Sequence, residues 1–240
     1  MLPEIVVADV ETLARRMAGT MEQAAAEALA ARGRFAVALS GGSLATLFFP
    51  SLVRTAVDWS RVDFFWCDER AVPPSHADSN YAAAHSLWLA PAGVPAARIH
   101  RMPADAADLE RAAFDYEGEL MRTLGTPPRL DVVLLGVGPD GHVASLFPGH
   151  AALAEERRSV LAVEDSPKPP PRRLTLTLPA LAAALRVIVA ATGKAKAEIL
   201  REALEDESSA SPLALVLNRA RRPLVLLDGD AASLLFPAGP

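Results

Sequence analysis

Short runs of consecutive apolar residues recur along the 240-residue chain, and segments with apolar residues at helical spacing separate them. Runs that are apolar at nearly every position are typical of parallel strands that helices cover on both faces. The strands predicted in this way are FAVALS (35–40), VDFFWC (62–67), LDVVLLG (130–136), RVIVAAT (186–192) and PLVLLD (223–228).

The segments between these strands predict helices, because their apolar residues recur three and four positions apart. The first helix is rich in alanine and should stop at Gly33, since glycine commonly ends helices in the left-handed conformation. The predicted helices cover 11–32, a stretch from about 44, and the ranges 80–89, 105–124 and 193–204.

The alternation of strands and helices indicates an α/β fold. We expect a doubly wound, mostly parallel sheet with helices on both faces, formed by residues 1–240 as a single domain. One strand differs: RLTLTL (173–178) alternates, which predicts an edge or antiparallel strand with one solvent-exposed face. In such sheets ligands bind at the carboxyl ends of strands. Four unusual segments follow the predicted strands: SGGS (40–43), CDER (67–70), GVGPDGH (136–142) and ATGKAK (191–196).

Composition narrows the class of protein. A net charge of −5 argues against a nucleic-acid-binding protein, and the single cysteine, Cys67, excludes an intramolecular disulfide. The first residues lack the basic-then-apolar pattern of a signal peptide, and no apolar run is long enough to span a membrane. We therefore expect a cytoplasmic protein with neither a nucleic-acid nor a membrane partner.

The segment GVGPDGH contains a G-x-G-x-x-G pattern at Gly136, Gly138 and Gly141. In a dinucleotide-binding protein these glycines would bring a pyrophosphate to the start of a helix. Here Asp140 would place a negative charge where the pyrophosphate should lie, and the motif falls in mid-chain rather than in the first strand–helix unit. The sequence therefore disfavours a dinucleotide site.

The alternative gives the chemistry of this segment to Asp140 and His142. We expect a helix to begin near His142, so that the helix dipole would disfavour the protonated imidazole. A neutral imidazole can accept a proton from water, and Asp140 could orient the ring or cap the helix. A capping aspartate followed by an incidental surface histidine remains the other interpretation.

Two further segments suit a phosphate. The segment SGGS has two glycines and two serines after a predicted buried strand, and its backbone N–H groups could bind an anion at the start of the next helix. A tight turn with a serine N-cap would have the same sequence pattern. ATGKAK holds two of the three lysines, which occur only at 168, 194 and 196, and a lysine beside a glycine turn can meet a phosphate. The candidates are Ser40, Gly41, Gly42, Ser43, Lys194 and Lys196.

The segment CDER ends a strand with Asp68, Glu69 and Arg70, charges that are costly to bury unless they pair or serve a site. Cys67 is more typical of packing than of a nucleophile. Downstream, Ser79 or Asp78 suits a helix N-cap. No histidine spacing typical of metal ligation occurs, so we expect no metal and no cofactor.

Five segments together resemble blocks of the 6-phosphogluconolactonase family, which is related to the glucosamine-6-phosphate deaminases and isomerases. They occur in the family's order over roughly 34–204, and DGH-x-ASLFP together with DER is the most specific part. The segments are SGGSL from Ser40, CDERAVPPSHADSNY from Cys67, LLGVGPDGHVASLFPGH from Leu134, PPPRRLTLTLPAL from Pro169 and ATGKAKAEIL from Ala191.

The resemblance implies a metal-independent hydrolase that opens 6-phospho-D-glucono-1,5-lactone to 6-phosphogluconate, the second step of the oxidative pentose phosphate pathway. It implies that His142 is the base and that basic residues and the Gly-rich turn hold the phosphate. The G-x-x-K spacing favours Lys196 over Lys194. One departure is Val143, where the family pattern usually has threonine. We expect a monomer or a weak homodimer.

On this hypothesis His142 takes a proton from the water that attacks C1, and Arg70 with nearby backbone N–H groups stabilises the oxyanion. Asp68 and Asp140 would orient substrate hydroxyls or the imidazole. Ser43, Arg173 and Lys196 would anchor the 6-phosphate and so set the position of C1.

Two other functions remain open. An amino-sugar-6-phosphate isomerase or deaminase would need a carboxylate such as Asp68 to move a proton between C1 and C2. Its relatives typically carry a tyrosine after the Asp-Glu pair, where this chain has Arg70. A non-catalytic sugar-phosphate sensor should keep the anchors and lack the base.

Overall fold

A parallel six-stranded sheet forms the centre of the computed structural model, which describes residues 2–235. Its strand order is β1-β9-β8-β5-β2-β3, and every neighbouring pair is parallel. The strands are β1 (Glu4–Val7), β2 (Phe35–Leu39), β3 (Val62–Trp66), β5 (Val132–Leu135), β8 (Arg186–Ala191) and β9 (Pro223–Leu227). All residues of β2, β3, β5 and β9 are buried, so both faces of the sheet are covered, as predicted.

Seven α-helices connect or flank the strands. The first begins after the N-cap Asp9 and ends at Gly33, whose φ of 70° lies in the left-handed region, as predicted. The helices are α1 (Val10–Arg32), α2 (Ser43–Leu52), α3 (Asn80–Ala84), α4 (Leu109–Leu124), α5 (Leu178–Ala182), α6 (Ala197–Glu205) and α7 (Pro212–Arg219). Short β1, α5 and α7 were not predicted from the pattern. Over the described part of the chain, no helix is both long and apolar enough to cross a membrane.

The order in which the chain adds strands to the sheet reverses between β2 and β5. From β2 the chain moves outward to β3 at one edge, whereas from β5 it moves to β8 on the other side. A crevice therefore opens at the carboxyl ends of β2 and β5, which is where open α/β sheets bind ligands. The segments SGGS and GVGPDGH follow these two strands, so the topology brings them together.

A second, antiparallel sheet has the order β4-β7-β6, with β4 (Asp68–Arg70), β6 (Val160–Val163) and β7 (Arg173–Leu176). The antiparallel pairing predicted for RLTLTL is confirmed, but the predicted solvent-exposed face is wrong. All four residues of β7 are buried, because it is the middle strand and α4 packs against β6 and β7. Thr175 on this strand therefore contacts protein rather than water.

Candidate active site

A cavity of about 210 Å³ lies at the crevice between the ends of β2 and β5. Residues from the Gly-rich turn, β4, the segment after β5, β7 and the turn before α6 surround it. Its lining includes Ser40, Gly41, Gly42, Ser43, Asp68, Arg70, Asn80, Gly138, His142, Ala144, Arg173 and Lys196. Side chains that are up to 156 positions apart in the sequence thus face one space.

A larger cavity of about 460 Å³ lies elsewhere, where Arg186 begins β8. It is lined by arginines, by Asp131 and by the end of α1, and it contains neither a histidine nor a glycine-rich helix start. Since ligands of such sheets bind at the carboxyl ends of the strands, the smaller cavity is the candidate active site.

His142 forms a close pair with Asp140. Its Nδ1 lies 2.6 Å from Asp140 Oδ1, and the imidazole is mostly buried, with 19% of the side chain exposed. A Cβ on Gly138 would lie 2.0 Å from His142 Nδ1 and 2.5 Å from Asp140 Oδ1, so only glycine leaves room for the pair. The middle glycine of the G-x-G-x-x-G pattern thus makes space for a side-chain pair.

The helix predicted to begin near His142 does not form. Gly141 has a φ of 81° and Ala144 a φ of 50°, and both values are incompatible with a right-handed helix. Residues 136–150 form irregular turns instead, tied by hydrogen bonds such as Gly138 N–H to His142 O at 2.9 Å. The prediction that a helix dipole disfavours the protonated form of His142 is therefore wrong.

His142 is nevertheless held neutral, for a different reason. Burial lowers the pKa of the imidazole, and this outweighs the raising effect of Asp140. A third residue, Lys168, adds to the lowering because its ammonium lies 3.3 Å from His142 Nδ1. Burial thus disfavours the protonated imidazole, which is the effect that was expected from a helix dipole.

Asp140 is held ionised. Burial alone would raise its pKa, but hydrogen bonds from His142 and Lys168 outweigh it and lower the pKa to about 2. An ionised carboxylate only accepts hydrogen bonds, so His142 Nδ1 must carry the proton that lies between the two groups. The lone pair of the neutral ring is then on Nε2, which is the atom available as a base.

Lys168 was missed as a site residue. Its Nζ lies 3.0 Å from Asp140 Oδ1, yet it belongs to the proline-rich loop between β6 and β7, 28 positions from Asp140. The only signal in the sequence was that lysine is rare in this chain and that one of three lysines stands in that loop.

Asp68 is buried and faces the cavity. Its Oδ2 accepts a hydrogen bond from Ser145 Oγ at 2.7 Å, and its Oδ1 accepts one from Asn80 Nδ2 at 3.2 Å. Asn80 also packs so closely on Gly41 that a Cβ there would lie 1.9 Å from Asn80 Oδ1. The glycine of the turn and the fixed carboxylate are therefore parts of one arrangement.

The other two charges of CDER have different tasks. Glu69 accepts hydrogen bonds from the backbone N–H groups of Arg70, Asn80 and Tyr81 and from Ser79 Oγ, so it closes the start of α3. Burial raises the pKa of Glu69. Of the two N-cap candidates, Ser79 and Asp78, the structure selects Ser79 for α3.

Arg70 borders the cavity as well. Its Nη1 donates to Asp78 O at 2.7 Å, which fixes the guanidinium, while its buried Nε has no partner within the described residues. A buried N–H group without a partner is costly unless a ligand satisfies it. Arg70 also lines the cavity, so its guanidinium stays the predicted donor to a bound anion.

The Gly-rich turn leads directly into α2. Gly42 is the N-cap and has no side chain to satisfy the first N–H groups of the helix, so the serine N-cap that the sequence allowed is absent from α2. Ser40 lines the cavity as a residue, but its hydroxyl is buried beside the Cys67 thiol. The free backbone N–H groups at the start of α2 suit an anion.

Two cations complete the lining. Burial lowers the pKa of Lys196, and nearby Lys168 lowers it further. Burial also lowers the pKa of Arg173, which donates from Nε to Pro170 O and from Nη2 to the carbonyls of Lys168 and Pro169. Lys194 is exposed and does not line the cavity.

Cys67 and Val143 lie in the core. The Cys67 thiol is fully buried between β3 and β4, and burial raises its pKa far above the usual range, which fits a packing residue and not a nucleophile.

No group of three or more histidine, cysteine, aspartate or glutamate side chains within 2–235 is placed to hold a metal ion.

Known proteins are similar to this chain over almost its full length. The family model for glucosamine-6-phosphate isomerases/6-phosphogluconolactonase matches residues 8–225. The chain belongs to this family. A family of sugar-phosphate enzymes fits a cavity that combines a helix start, three cations and a carboxylate–imidazole pair.

Relatives and solved structures within the family agree. The chain is 42% identical over 233 residues to the 6-phosphogluconolactonase of Rattus norvegicus, covering 94% of this chain and 90% of the relative. The 6-phosphogluconolactonase of Streptomyces coelicolor is 40% identical over 248 residues, with 97% and 95% covered. The solved 6-phosphogluconolactonase of Trypanosoma brucei superposes with a TM-score of 0.83 at 26% identity, covering 98% and 99% of the two chains.

Val143 departs from the threonine that is usual beside the family's histidine. The Val143 side chain is fully buried in the core, so the hydroxyl of a threonine at this position would also lie in the core and not in the cavity. Asp140 orients the imidazole instead, through the contact at Nδ1. The His142–Asp140 contact is present with valine at position 143.

Proposed function

We propose that this protein is a 6-phosphogluconolactonase, which hydrolyses 6-phospho-D-glucono-1,5-lactone to 6-phosphogluconate. One observation carries the proposal: a neutral imidazole, oriented by a carboxylate, faces the same cavity as a helix start and three cations. A lactone ester needs a base for water, and a phosphate needs cations and N–H donors. The family and its named relatives support the same substrate.

In the proposed reaction His142 Nε2 accepts a proton from water, and the oxygen of that water attacks C1 of the lactone. The carbonyl oxygen gains negative charge as the tetrahedral intermediate forms, and Arg70 is the proposed donor to it because its fixed guanidinium borders the cavity. The intermediate then collapses, the bond from C1 to the ring oxygen breaks, and protonated His142 returns its proton to that oxygen. Atoms and charge balance without a covalent enzyme intermediate.

Asp140 and Asp68 have distinct proposed roles. Asp140 accepts from His142 Nδ1, which keeps Nε2 free and aimed at the cavity. Asp68 is held by Ser145 and Asn80 and faces the bound sugar, where it would accept hydrogen bonds from hydroxyl groups. Fixed acceptors of this kind set the orientation of the ring relative to the attacking water.

The phosphate would lie against the start of α2. Gly41, Gly42 and Ser43 offer backbone N–H groups there, next to Ser40, and Lys196 supplies a positive charge to the same cavity. Arg173 donates from Nε and Nη2 to carbonyls of the proline-rich loop. We therefore propose that it holds this loop in place and contributes positive charge near the phosphate. Lys194, which is exposed, has no proposed role.

A coupled assay tests the proposal. Freshly generated lactone is supplied, 6-phosphogluconate is followed through its dehydrogenase, and spontaneous hydrolysis is subtracted. We expect a rate well above the background that is lost in His142→Ala. A rate equal to the background would reject the lactonase function.

The second candidate is an isomerase or deaminase of amino-sugar 6-phosphates, which the family model also includes. It would need Asp68 to move a proton between C1 and C2, and this chain has Arg70 where those relatives typically carry a tyrosine. Ammonia release from glucosamine 6-phosphate would favour this candidate. The intact His142–Asp140 pair argues against a non-catalytic sensor.

We further propose that the reaction needs neither a metal nor a cofactor, that residues 1–240 act as one domain, and that the enzyme works in the cytoplasm as a monomer or weak homodimer. Activity should survive prolonged treatment with a chelator. Inhibition that added metal reverses would contradict the metal-free reaction, and gel filtration would report the oligomeric state.

A further inference from the structure

The proline-rich loop, residues 166–172, places an ammonium group beside the catalytic pair. Lys168 Nζ lies 3.0 Å from Asp140 Oδ1 and 3.3 Å from His142 Nδ1. Asp140 Oδ1 therefore accepts from two donors, the imidazole and the ammonium. Arrangements that share one acceptor atom between a base and a cation are sensitive to the loss of either donor.

The loop is built to keep Lys168 in this position. Ser166 Oγ donates to Lys168 O at 2.9 Å and accepts from Lys168 N at 3.2 Å, while Ser166 N donates to Pro171 O at 2.9 Å. Buried Arg173 donates to the same Lys168 carbonyl at 3.0 Å. Both backbone polar groups of Lys168 are thus satisfied within the loop, and its backbone is fixed relative to β7.

We propose that Lys168 is a positioning residue. Its ammonium partly neutralises the negative charge of Asp140 and so keeps His142 in its neutral, proton-accepting form. Without the ammonium, the full charge of Asp140 would act on the imidazole and favour the imidazolium. This inference rests on the proposed function, in which His142 must be neutral to accept a proton from water.

The charged groups around His142 determine the sign of the effect. Asp140 and Asp68 favour the imidazolium, and Lys168 opposes it, as the directions of their effects on the His142 pKa show. Lys196 faces Lys168 from the turn before α6. Removing Lys168 leaves two carboxylates with no opposing cation in contact with the pair.

Lys168 differs from the phosphate-binding candidates. Its ammonium is engaged by Asp140, and it is not among the residues that line the cavity, whereas Lys196 is. A phosphate anchor should change KM, while a residue that acts through His142 should change the pH dependence. The two roles therefore predict different kinetics.

The test compares Lys168→Met with Lys168→Arg, which keeps the charge. The pH profile of kcat/KM for lactone hydrolysis is measured on both and on the wild type, with spontaneous hydrolysis subtracted. We expect the acid limb of Lys168→Met to move to higher pH, so that kcat/KM at acidic pH falls about tenfold while the alkaline plateau and KM are kept. Lys168→Arg should restore most of the acid limb.

A matched control is Arg172→Met. It removes one positive charge from the same loop, but Arg172 pairs with Glu164 outside the cavity. Its acid limb should match that of the wild type. An equal shift in this variant would show that net charge, and not the contact of Lys168 with the pair, moves the profile.

A second readout needs no substrate. The His142 imidazole is titrated by nuclear magnetic resonance in the free protein, with its signal assigned from His142→Ala, and its pKa should rise in Lys168→Met. An unchanged pKa, or a raised KM with an unchanged acid limb, would overturn the proposal in favour of a phosphate anchor or a structural role. If the wild type hydrolysed no lactone, the proposed function would fail, but this titration would still decide the effect of Lys168 on His142.

Discussion

Two histidines of this protein pair with carboxylates and yet have opposite properties. His100 lies between Glu119 Oε1, 2.7 Å from its Nδ1, and Asp63 Oδ1, 3.3 Å from its Nε2. His142 contacts a single carboxylate, Asp140, together with the ammonium of Lys168. Pairing with an acid is common to both, but the other neighbours of each ring differ.

The protonation of the two rings follows from those neighbours. Burial lowers the pKa of both, but two carboxylates outweigh it at His100 and raise that pKa to about 9. At His142 the raising effects of Asp140 and Asp68 do not outweigh burial, and Lys168 opposes them, so the pKa is lowered. His100 is therefore cationic at neutral pH and His142 is neutral.

Their positions match these states. His100 stacks on Phe65, with ring centroids 4.5 Å apart, and joins β3 to α4 through its two acids. Both of its ring nitrogens are engaged, so it has no free base. His142 faces the cavity with Nε2 unengaged. The comparison teaches that a histidine–carboxylate pair is a base only where a second counter-charge is missing.

The largest expected effect separates the two rings by activity. His142→Ala should lower kcat about 10²–10⁴-fold, since it removes the general base. His100→Ala should leave kcat close to that of the wild type, because the ring lies outside the cavity. Steady-state assays with lactone measure both, and comparable losses in the two variants would break the comparison.

The next effect separates the base from the anchor within the cavity. Lys196→Ala should raise KM by about 10–100-fold, because a hydrogen bond to a charged group contributes about 1.5–3 kcal/mol. The kcat should change much less than in His142→Ala, since the base is intact. A fall in kcat at unchanged KM would contradict the anchoring role of Lys196.

A smaller effect concerns stability. The folded-state pKa of His100, about 9, lies above the unfolded value of 6.5, so the folded protein binds the extra proton between these values. The contribution of His100 to the free energy of unfolding is therefore complete below pH 6.5 and is lost as the pH rises towards 9. His100→Gln should lower stability by about 1–3 kcal/mol at pH 6.

Urea unfolding at pH 6 and above pH 9 measures this contribution. The difference between wild type and His100→Gln should shrink at the higher pH, where the wild-type ring has lost its proton. A difference that stays constant with pH would mean that His100 stabilises the fold by packing on Phe65 and not by charge.

The smallest effect is the acid limb of wild-type activity. Because burial lowers the pKa of His142 below 6.5, the ring stays neutral as the pH falls through 6.5, and kcat/KM should decline only at lower pH. The pH profile of kcat/KM reports this group in the free enzyme. A midpoint above 6.5 would show that Asp140 outweighs burial and would remove the contrast with His100.

Much of the fold could be predicted because local pattern and tertiary structure agree there. The continuous apolar runs became the buried strands β2, β3, β5, β8 and β9, and their carboxyl ends carry the segments SGGS and GVGPDGH at the crevice. The position of Ser79 at the start of α3 followed from cap chemistry alone. Such signals lie within a few residues of the structure that they predict.

Other features depended on packing that no local pattern records. The alternation of RLTLTL predicted a wet face, but α4 covers the strand. The helix expected at His142 is replaced by turns, since Gly141 and Ala144 take positive φ values. The roles of Asp68, Arg70 and the other candidate residues stay predictions for kinetics to decide.

The sequence by itself determined most of the residues that could do chemistry and the end of the sheet at which they would gather, because residue type and a position at the end of a strand are local properties. The tertiary structure alone decided the protonation of His142. A pKa sums burial and every nearby charge, and Lys168, one of those charges, comes from a loop 26 positions away. Only folding brings that ammonium to the imidazole.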